Sequence, residues 1–310
     1  MRLLKKLLSL IITLLFVSII TFFAFRVIPG DSAVSKLGIN ATEEQIEALR
    51  EELGLNQSLM TQYTRFLGDA WQGDFGTSIQ YNRTVTSLVQ ERLPVTLWLA
   101  FLSFLLIVVI SVPLGLLASK KEDGVIDRII TLLTQTFMAI PSFFLGILIT
   151  LVFGVILKWF SPGGYIKPSA GFSKFISYMI FPALAVSIPK IAMMVKFLRT
   201  SVIRELGLDY VRTAKSKGQK KNVILFRHVL KNALMPVITF LGLITAESLA
   251  GSIVVEQVFN LPGMGRLLVT AISNRDYPVV QAVVIYIAAI VIVINLCVDL
   301  LYQKVDPRVE

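Results

Sequence analysis

The sequence predicts an all-α, polytopic membrane protein with six transmembrane helices. Three observations carry this reading: an apolar composition, six apolar stretches near the length of about 20 residues that crosses the hydrocarbon core, and a one-sided distribution of Lys and Arg. Of the 310 residues, 55% are hydrophobic and 16% charged, and the mean hydropathy is +0.74, far from the balance of a soluble domain.

The composition also removes function classes. The single cysteine, Cys297, lies inside an apolar run, so neither a disulfide framework nor a cysteine metal site can be built within the chain. The single histidine, His228, has no nucleophile motif near it in sequence, which speaks against hydrolysis by a Ser/His/Asp or Cys/His set. No catalytic residue and no metal ligand set is expected.

The apolar stretches lie near 7–28, 95–118, 129–157, 178–198, 233–256 and 281–302. The first follows Lys5 and Lys6 but is too long for a signal peptide and lacks a small-residue cleavage pattern, so it reads as a retained helix over 1–28. Residues 29–94 form the one sizeable extramembrane segment. There "TEEQIEALREEL" opens with Thr42 as N-cap and Gln45 three residues on, a capping box, and sets Ile46, Leu49 and Leu53 on one face before Gly54 stops the helix. A second amphipathic run places Leu59, Tyr63, Phe66, Leu67 and Trp71 at helical spacing. This segment is read either as packing over the helix ends or as a docking surface. The acidic face of its first helix, Glu43, Glu44, Glu47 and Glu51, fits solvation as well as docking. Residues 95–302 form a five-helix core containing a loop at 199–232, and 303–310 are a tail.

Six spans put both termini on one side. The N-terminus, the 119–128 loop, the 196–232 loop and the tail hold 18 of the 30 Lys and Arg, against 7 acids. That side is cytoplasmic by the positive-inside bias, which also accounts for most of the net charge of +10 without any nucleic acid.

The largest cytoplasmic loop contains "DYVRTAKSKGQKKNVILFRHVLKNALMP". Asp209 suits an N-cap, Gly218 a C′ position, and Lys215 and Lys217 complement the dipole in the last turn, which defines a two-turn helix. Ala214 and Gly218, four apart, leave one flank nearly bare of side chain, and Tyr210 and Val211 offer apolar anchors. A second helical pattern runs from Asn222 through Ile224, Leu225, His228 and Val229 into the fifth span. A basic linker that fixes topology or touches anionic lipid has the same spacing.

This stretch resembles the EAA loop of permease subunits of bacterial ATP-binding-cassette importers. "YVRTAKSKG" followed by "RHVLKNALMPVI" is similar to the oligopeptide, dipeptide and nickel branch, in its first, DppB/OppB-like subunit. "FRVIPGD", "LGLNQSLMTQYTRFLGDAWQGDFGTSI", "ERLPVTLWLA", "VVEQVFNLPGMGRLL" and "VDLLYQKVDPR" extend the likeness over essentially the whole chain. Arg212, Thr213 and Ala214 stand where the general motif begins Glu-Ala-Ala, and the Asn232–Pro236 pattern replaces its later Ile-x-Leu-Pro; both departures fit the peptide branch.

The resemblance implies a type I importer permease fold in a bacterial cell (inner or cytoplasmic) membrane. It implies that Asp209, Tyr210, Val211, Arg212, Thr213, Ala214, Lys215 and Gly218 form a coupling helix for an ATPase. Partners would be a second homologous permease, two cytoplasmic ATPases, an extracytoplasmic substrate-binding protein and membrane lipid. The chain has no G-x-x-x-x-G-K-[ST], so it binds no cofactor of its own, and ATP with Mg would sit on the ATPases. Peptide is the implied cargo, with nickel or a metal chelate as the alternative in the same branch. An ion-gradient secondary transporter is the rival from another class.

Prolines recur inside the spans at Pro113, Pro141, Pro182, Pro189 and Pro236, and those in "MAIPSFFLG" and "SIPKIAMM" read as bend points or as static kinks. Lys190 and Glu247 stand deep in spans four and five, roughly 18 and 14 Å below the outer surface at about 1.5 Å per residue. Unpaired in hydrocarbon each would cost roughly 2.5–3.5 kcal/mol, so they either pair or face a common aqueous path. Lys190, Glu247, Pro141 and Pro189 are therefore the candidate path residues. Glu256 and Asp299, near span ends, are expected to reach the interface.

Overall fold

The computed structural model describes residues 2–27, 34, 37, 41–52 and 54–305, with side chains at 8–24, 34, 37, 41–51, 54–298 and 300. The expectations for Leu53, for the Asp299 side chain, for residues 28–33 and for the tail beyond Val305 lie outside the described residues.

The chain runs through α1 (Arg2–Val27), α2 (Glu43–Glu52), α3 (Leu59–Trp71), α4 (Val85–Lys120), α5 (Val125–Ala139) and α6 (Ser142–Ile149), which continues as a π-helical turn over Thr150–Ile156. It then forms α7 (Phe172–Leu206), α8 (Asp209–Ser216), α9 (Lys221–Val258, π-helical at Ile224–Val229), α10 (Met264–Ser273) and α11 (Tyr277–Val305). Among the described residues, extended pairing is limited to one bridge between Thr77 and Thr84.

Four of these helices are long and apolar enough to cross a membrane: α4, α7, α9 and Tyr277–Val298 of α11. The stretch expected as the third span, with Pro141 as a bend point or kink, forms two helices, α5 and α6 with its π turn, bent by 98°. The break follows from Pro141, whose ring drives Ile140 to an extended φ/ψ of −92/121° and whose missing N–H is harmless as the cap of α6. Pro113, Pro182, Pro189 and Pro236 leave their helices uninterrupted. If the bent pair crosses as one, the described residues contain five spans. Leu8–Ala24 of α1 is apolar but short.

The chain divides into two compact units. The first is Met1–Thr96 with Pro262–Ile292. Its α2 opens on the expected capping box, Thr42 N–H to Gln45 Oε1 at 3.1 Å and Gln45 N–H to Thr42 Oγ1 at 3.4 Å, and Gly54 follows its end at φ +68°. Tyr63 of α3 turns inward, its hydroxyl 2.9 Å from Ser18 Oγ and its ring 5.3 Å from Phe22. Trp71, expected on the same face, is 91% exposed. Val85, Leu88 and Val89 pack with Met264, Leu267, Val279 and Val283. Buried Asp276 ties a turn to this core by accepting from the Ser78 hydroxyl and from the N–H of Ile79 and Gln80 at 3.1 and 3.2 Å.

The second unit is Leu97–Leu261 with Val293–Glu310. Its centre is α7, of which residues 182–195 show no fully exposed side chain. Apolar burial on this scale, at about 25 cal/mol per Å², is the main attraction between these helices in an aqueous reference, but in lipid close packing must supply it. Close packing is visible at Gly115 of α4, where an added Cβ would lie 2.8 Å from Leu198 Cδ2 and 3.1 Å from its Cβ. Gly115→Leu is therefore expected to lower the melting temperature and abundance of the detergent-solubilised protein, an overpacking cost of about 1–3 kcal/mol. Adding Leu198→Ala should recover part of that loss, as measured by thermal unfolding of the double variant.

Candidate functional site

The basic segment between α7 and α9 folds into α8 for local reasons. Leu208 is the N-cap, at φ/ψ −78/154°, and Asp209 is the first helical residue. The expected cap is thus displaced by one position: the Asp209 carboxylate meets the dipole from within the first turn and accepts from Arg212 Nη1 at 3.4 Å. At the other end Gly218, at φ +76°, closes a Schellman motif, with Gly218 N–H to Lys215 O at 2.9 Å and Gln219 N–H to Ala214 O at 3.3 Å. Left-handed backbone is the reason for glycine here, and nothing lies within 4 Å of where its Cβ would be.

The inward face of α8 belongs to the chain's own core. Val211 is fully buried and Ala214 nearly so, packed in one cluster with Leu198 and Val202 of α7 and Ile224, Leu225 and Val229 of α9. Val211 thus anchors α8 to the chain's own core, and of the small pair Ala214 is covered by that core while Gly218 stays open. Tyr210 is half-buried and its hydroxyl donates to Glu205 Oε2 at 2.7 Å. Burial, then the Glu205 carboxylate, holds its phenol above the ordinary value, so the hydroxyl remains a donor at neutral pH. Asp209, Arg212, Thr213, Lys215 and Gly218 are exposed, with the Asp209 and Arg212 side chains 94% and 78% accessible. His228 reaches back across the loop, its Nε2 3.0 Å from Gln219 Oε1.

A second constellation lies on α7. Lys190, only 13% exposed in its side chain, meets Glu247 of α9 with Nζ 2.5 Å from Oε1. Between the two alternatives the sequence left open, direct contact is what the fold makes. Pro189, beside Lys190, is buried, and Pro141 sits exposed at the break between α5 and α6. Glu256, expected to reach the interface, is fully buried, because it shares the inward face of α9 with Leu249, Ser252 and Val255.

Sequence reasoning missed one ion pair in this unit. Arg199 of α7 grips Asp127 of α5 with two parallel bonds, Nε to Oδ1 at 2.5 Å and Nη2 to Oδ2 at 2.6 Å. Asp127 also accepts from the Asp123 N–H at 2.8 Å, which fixes the turn leading into α5. Both residues had been counted only as loop charges. The available signal was an acid in the first turn of an apolar helix and an arginine near the end of another span on the same side.

Among the described residues no three His, Cys, Asp or Glu side chains are placed to hold a metal. An exposed helix closed by a Schellman motif and rooted in the core of a helical membrane unit can pass mechanical force.

The family model of the binding-protein-dependent transport system inner membrane component matches residues 111–310, and the model of its N-terminal part matches residues 1–100. The chain belongs to this family. It is 40% identical over 300 residues to the oligopeptide transport system permease protein AppB of Bacillus subtilis, covering 96% of this chain and 95% of that one. It is 39% identical over 306 residues to the glutathione transport system permease protein GsiC of Pectobacterium atrosepticum, covering 99% and 97%. The inward-facing MetNI methionine ABC transporter shares the fold at a TM-score of 0.57 and 17% identity, covering 71% of this chain and 96% of the matched chain.

The protein is accordingly a multi-pass permease subunit of an ABC importer, a transport subunit and not an enzyme. The family assignment decides against the ion-gradient rival.

Asp127→Ala strands the Arg199 guanidinium and frees the turn at Asp123, and is expected to cost about 3 kcal/mol, the low end for breaking a buried pair, since Arg199 is partly exposed. Reversing the pair, Asp127→Arg with Arg199→Asp, should not restore the melting temperature, because Arg cannot accept from the Asp123 N–H. Full recovery in a thermal unfolding assay would reduce the site to a bare charge pair.

Proposed function

We propose that this chain is one of two homologous permeases that form the path of a peptide importer in a bacterial inner membrane. The observation that carries the reading is α8: a capped helix fastened by Val211 and Ala214 to the core, presenting Arg212, Thr213 and Lys215 outward. In this role α8 is the coupling helix of the 199–232 loop and docks on one of two cytoplasmic ATPases that hold ATP and Mg. The names of the relatives, which transport oligopeptides and glutathione, support peptide as the cargo class.

In this reading α1, α4, the α5–α6 pair, α7, α9 and α11 make six crossings with both termini cytoplasmic, as the Lys and Arg bias supports. Residues 29–94 lie outside and meet a substrate-binding protein. Lys190 and Glu247 border the translocation path.

Arg212→Glu with Lys215→Glu changes only exposed side chains, so abundance and thermal stability should hold while ATPase co-purification and uptake fall by an order of magnitude. Unchanged co-purification with the double variant contradicts docking through this face. Val211→Asp, by contrast, should lower abundance itself, because it puts a carboxylate into the cluster that roots α8. On the outer side, Glu43→Lys, Glu44→Lys and Glu47→Lys together should weaken binding-protein docking more at low salt than at high, as screening over about 10 Å at 0.1 M predicts for surface charge. Docking insensitive to the change at every ionic strength assigns those acids to solvation.

A further inference from the structure

The Lys190–Glu247 pair is lopsided. Lys190 comes from the most buried helix of its unit, whereas the Glu247 side chain is 55% exposed. Glu247 is 26 residues from Lys221 and 11 from Val258 along α9, about 39 and 17 Å from its ends, so this exposure is at membrane depth.

The surroundings of the exposed carboxylate differ from a lipid face. Along the part of α9 from Pro236 to Val258 the exposed positions are Pro236, Thr239, Leu243, Glu247, Ala250 and Val254, one stripe at helical spacing that mixes polar and small residues with apolar ones. The exposed side of α6 and its π-helical turn, in contrast, is large and apolar, with Phe143, Phe144, Ile147, Leu148 and Leu151. Hydrocarbon suits the second surface and penalises a carboxylate on the first. Water and what travels through it suit the first.

We propose that Glu247 is a selectivity residue of the path, a transient acceptor for the cationic groups of the cargo, the N-terminal ammonium or a basic side chain of a peptide. This rests on the reading of the protein as a peptide importer permease. Lys190 is its built-in competitor. An arriving ammonium donates to the exposed oxygen of Glu247, and Lys190 regains the carboxylate when the cargo leaves. Because Lys190 stays beside the carboxylate and already satisfies part of its charge, cargo is favoured without being trapped, the condition for passage through any pore-lining site. The exposed carboxylate at the same time disfavours anionic groups.

The test uses the assembled importer in proteoliposomes with its ATPases, second permease and binding protein. It reads uptake of paired peptides, one with a free N-terminus and a lysine, the other acetylated with glutamate in place of lysine. Binding-protein affinities are measured separately and divided out. Wild type should favour the cationic peptide, and Glu247→Gln should lower that preference roughly fivefold, the weight of about one kcal/mol, with abundance unchanged or modestly reduced. The exchange Lys190→Glu with Glu247→Lys keeps a pair and hence abundance, but presents the opposite charge and should invert the preference. A preference untouched in both variants overturns the proposal and leaves the pair structural. Loss of the second permease on co-purification of Glu247→Gln overturns it in favour of a subunit contact. Failure of wild type to take up any peptide overturns the cargo reading, and this proposal with it, and is distinguished by appearing before any substitution is made.

Discussion

Helix α7 is the most buried of its unit, and two of its cations, Lys190 and Arg199, are partly buried, where hydrocarbon tolerates neither of them unpaired. The rest of the second unit is arranged to answer this. Arg199 takes Asp127 from α5, and Lys190 takes Glu247 from α9, so the two helices that flank α7 are each fastened to it by charge as well as by packing. The two pairs are built differently. Asp127 is buried and further occupied by the Asp123 N–H, a closed arrangement with a fixed geometry. Glu247 is open on one side, which suits exchange.

Helix α8 inherits its position from this frame. Val211 and Ala214 share a single apolar cluster with Leu198 and Val202 of α7 and with Val229, Ala233 and Val237 of α9. Close-packed interiors transmit displacement rather than absorb it, so a push on the exposed face of α8 reaches α7 and α9 through contacts already made. The π-helical turn at Ile224–Val229 lies near the start of α9, just after α8, and such turns are rare and frequent at functional sites. In a permease that must move with an ATPase, a rigid root and such a turn beside it are compatible requirements.

What the sequence disclosed was mostly local. The Thr42–Gln45 box, the glycine stops at Gly54 and Gly218, and the apolar runs all rest on chemistry within a few residues, and each is present in the fold. What it concealed depends on distant neighbours. Pro141 and Pro189 read alike as bend points in the sequence, yet only Pro141 ends a helix. Asp127 and Arg199 are 72 residues apart, and Ser78 and Asp276 are 198 apart, beyond any periodicity argument. The orientation of α8 was not legible for the same reason: an apolar Val211 reads equally well as an anchor for a partner or for the chain itself, and only the tertiary packing separates the two. Glu256 shows the limit in reverse, since a position near a span end said nothing about which side of α9 it occupies.

The central claim is that α8 presents one face to an ATPase and keeps the other for its own core. Position-specific photo-crosslinking in the assembled importer tests it most directly, with a reactive side chain placed in turn at Val211, Arg212, Thr213, Ala214 and Lys215. The account predicts adducts with the ATPase from positions 212, 213 and 215, and adducts within the chain from 211 and 214. ATPase adducts from 211 or 214 with none from 213 would contradict it.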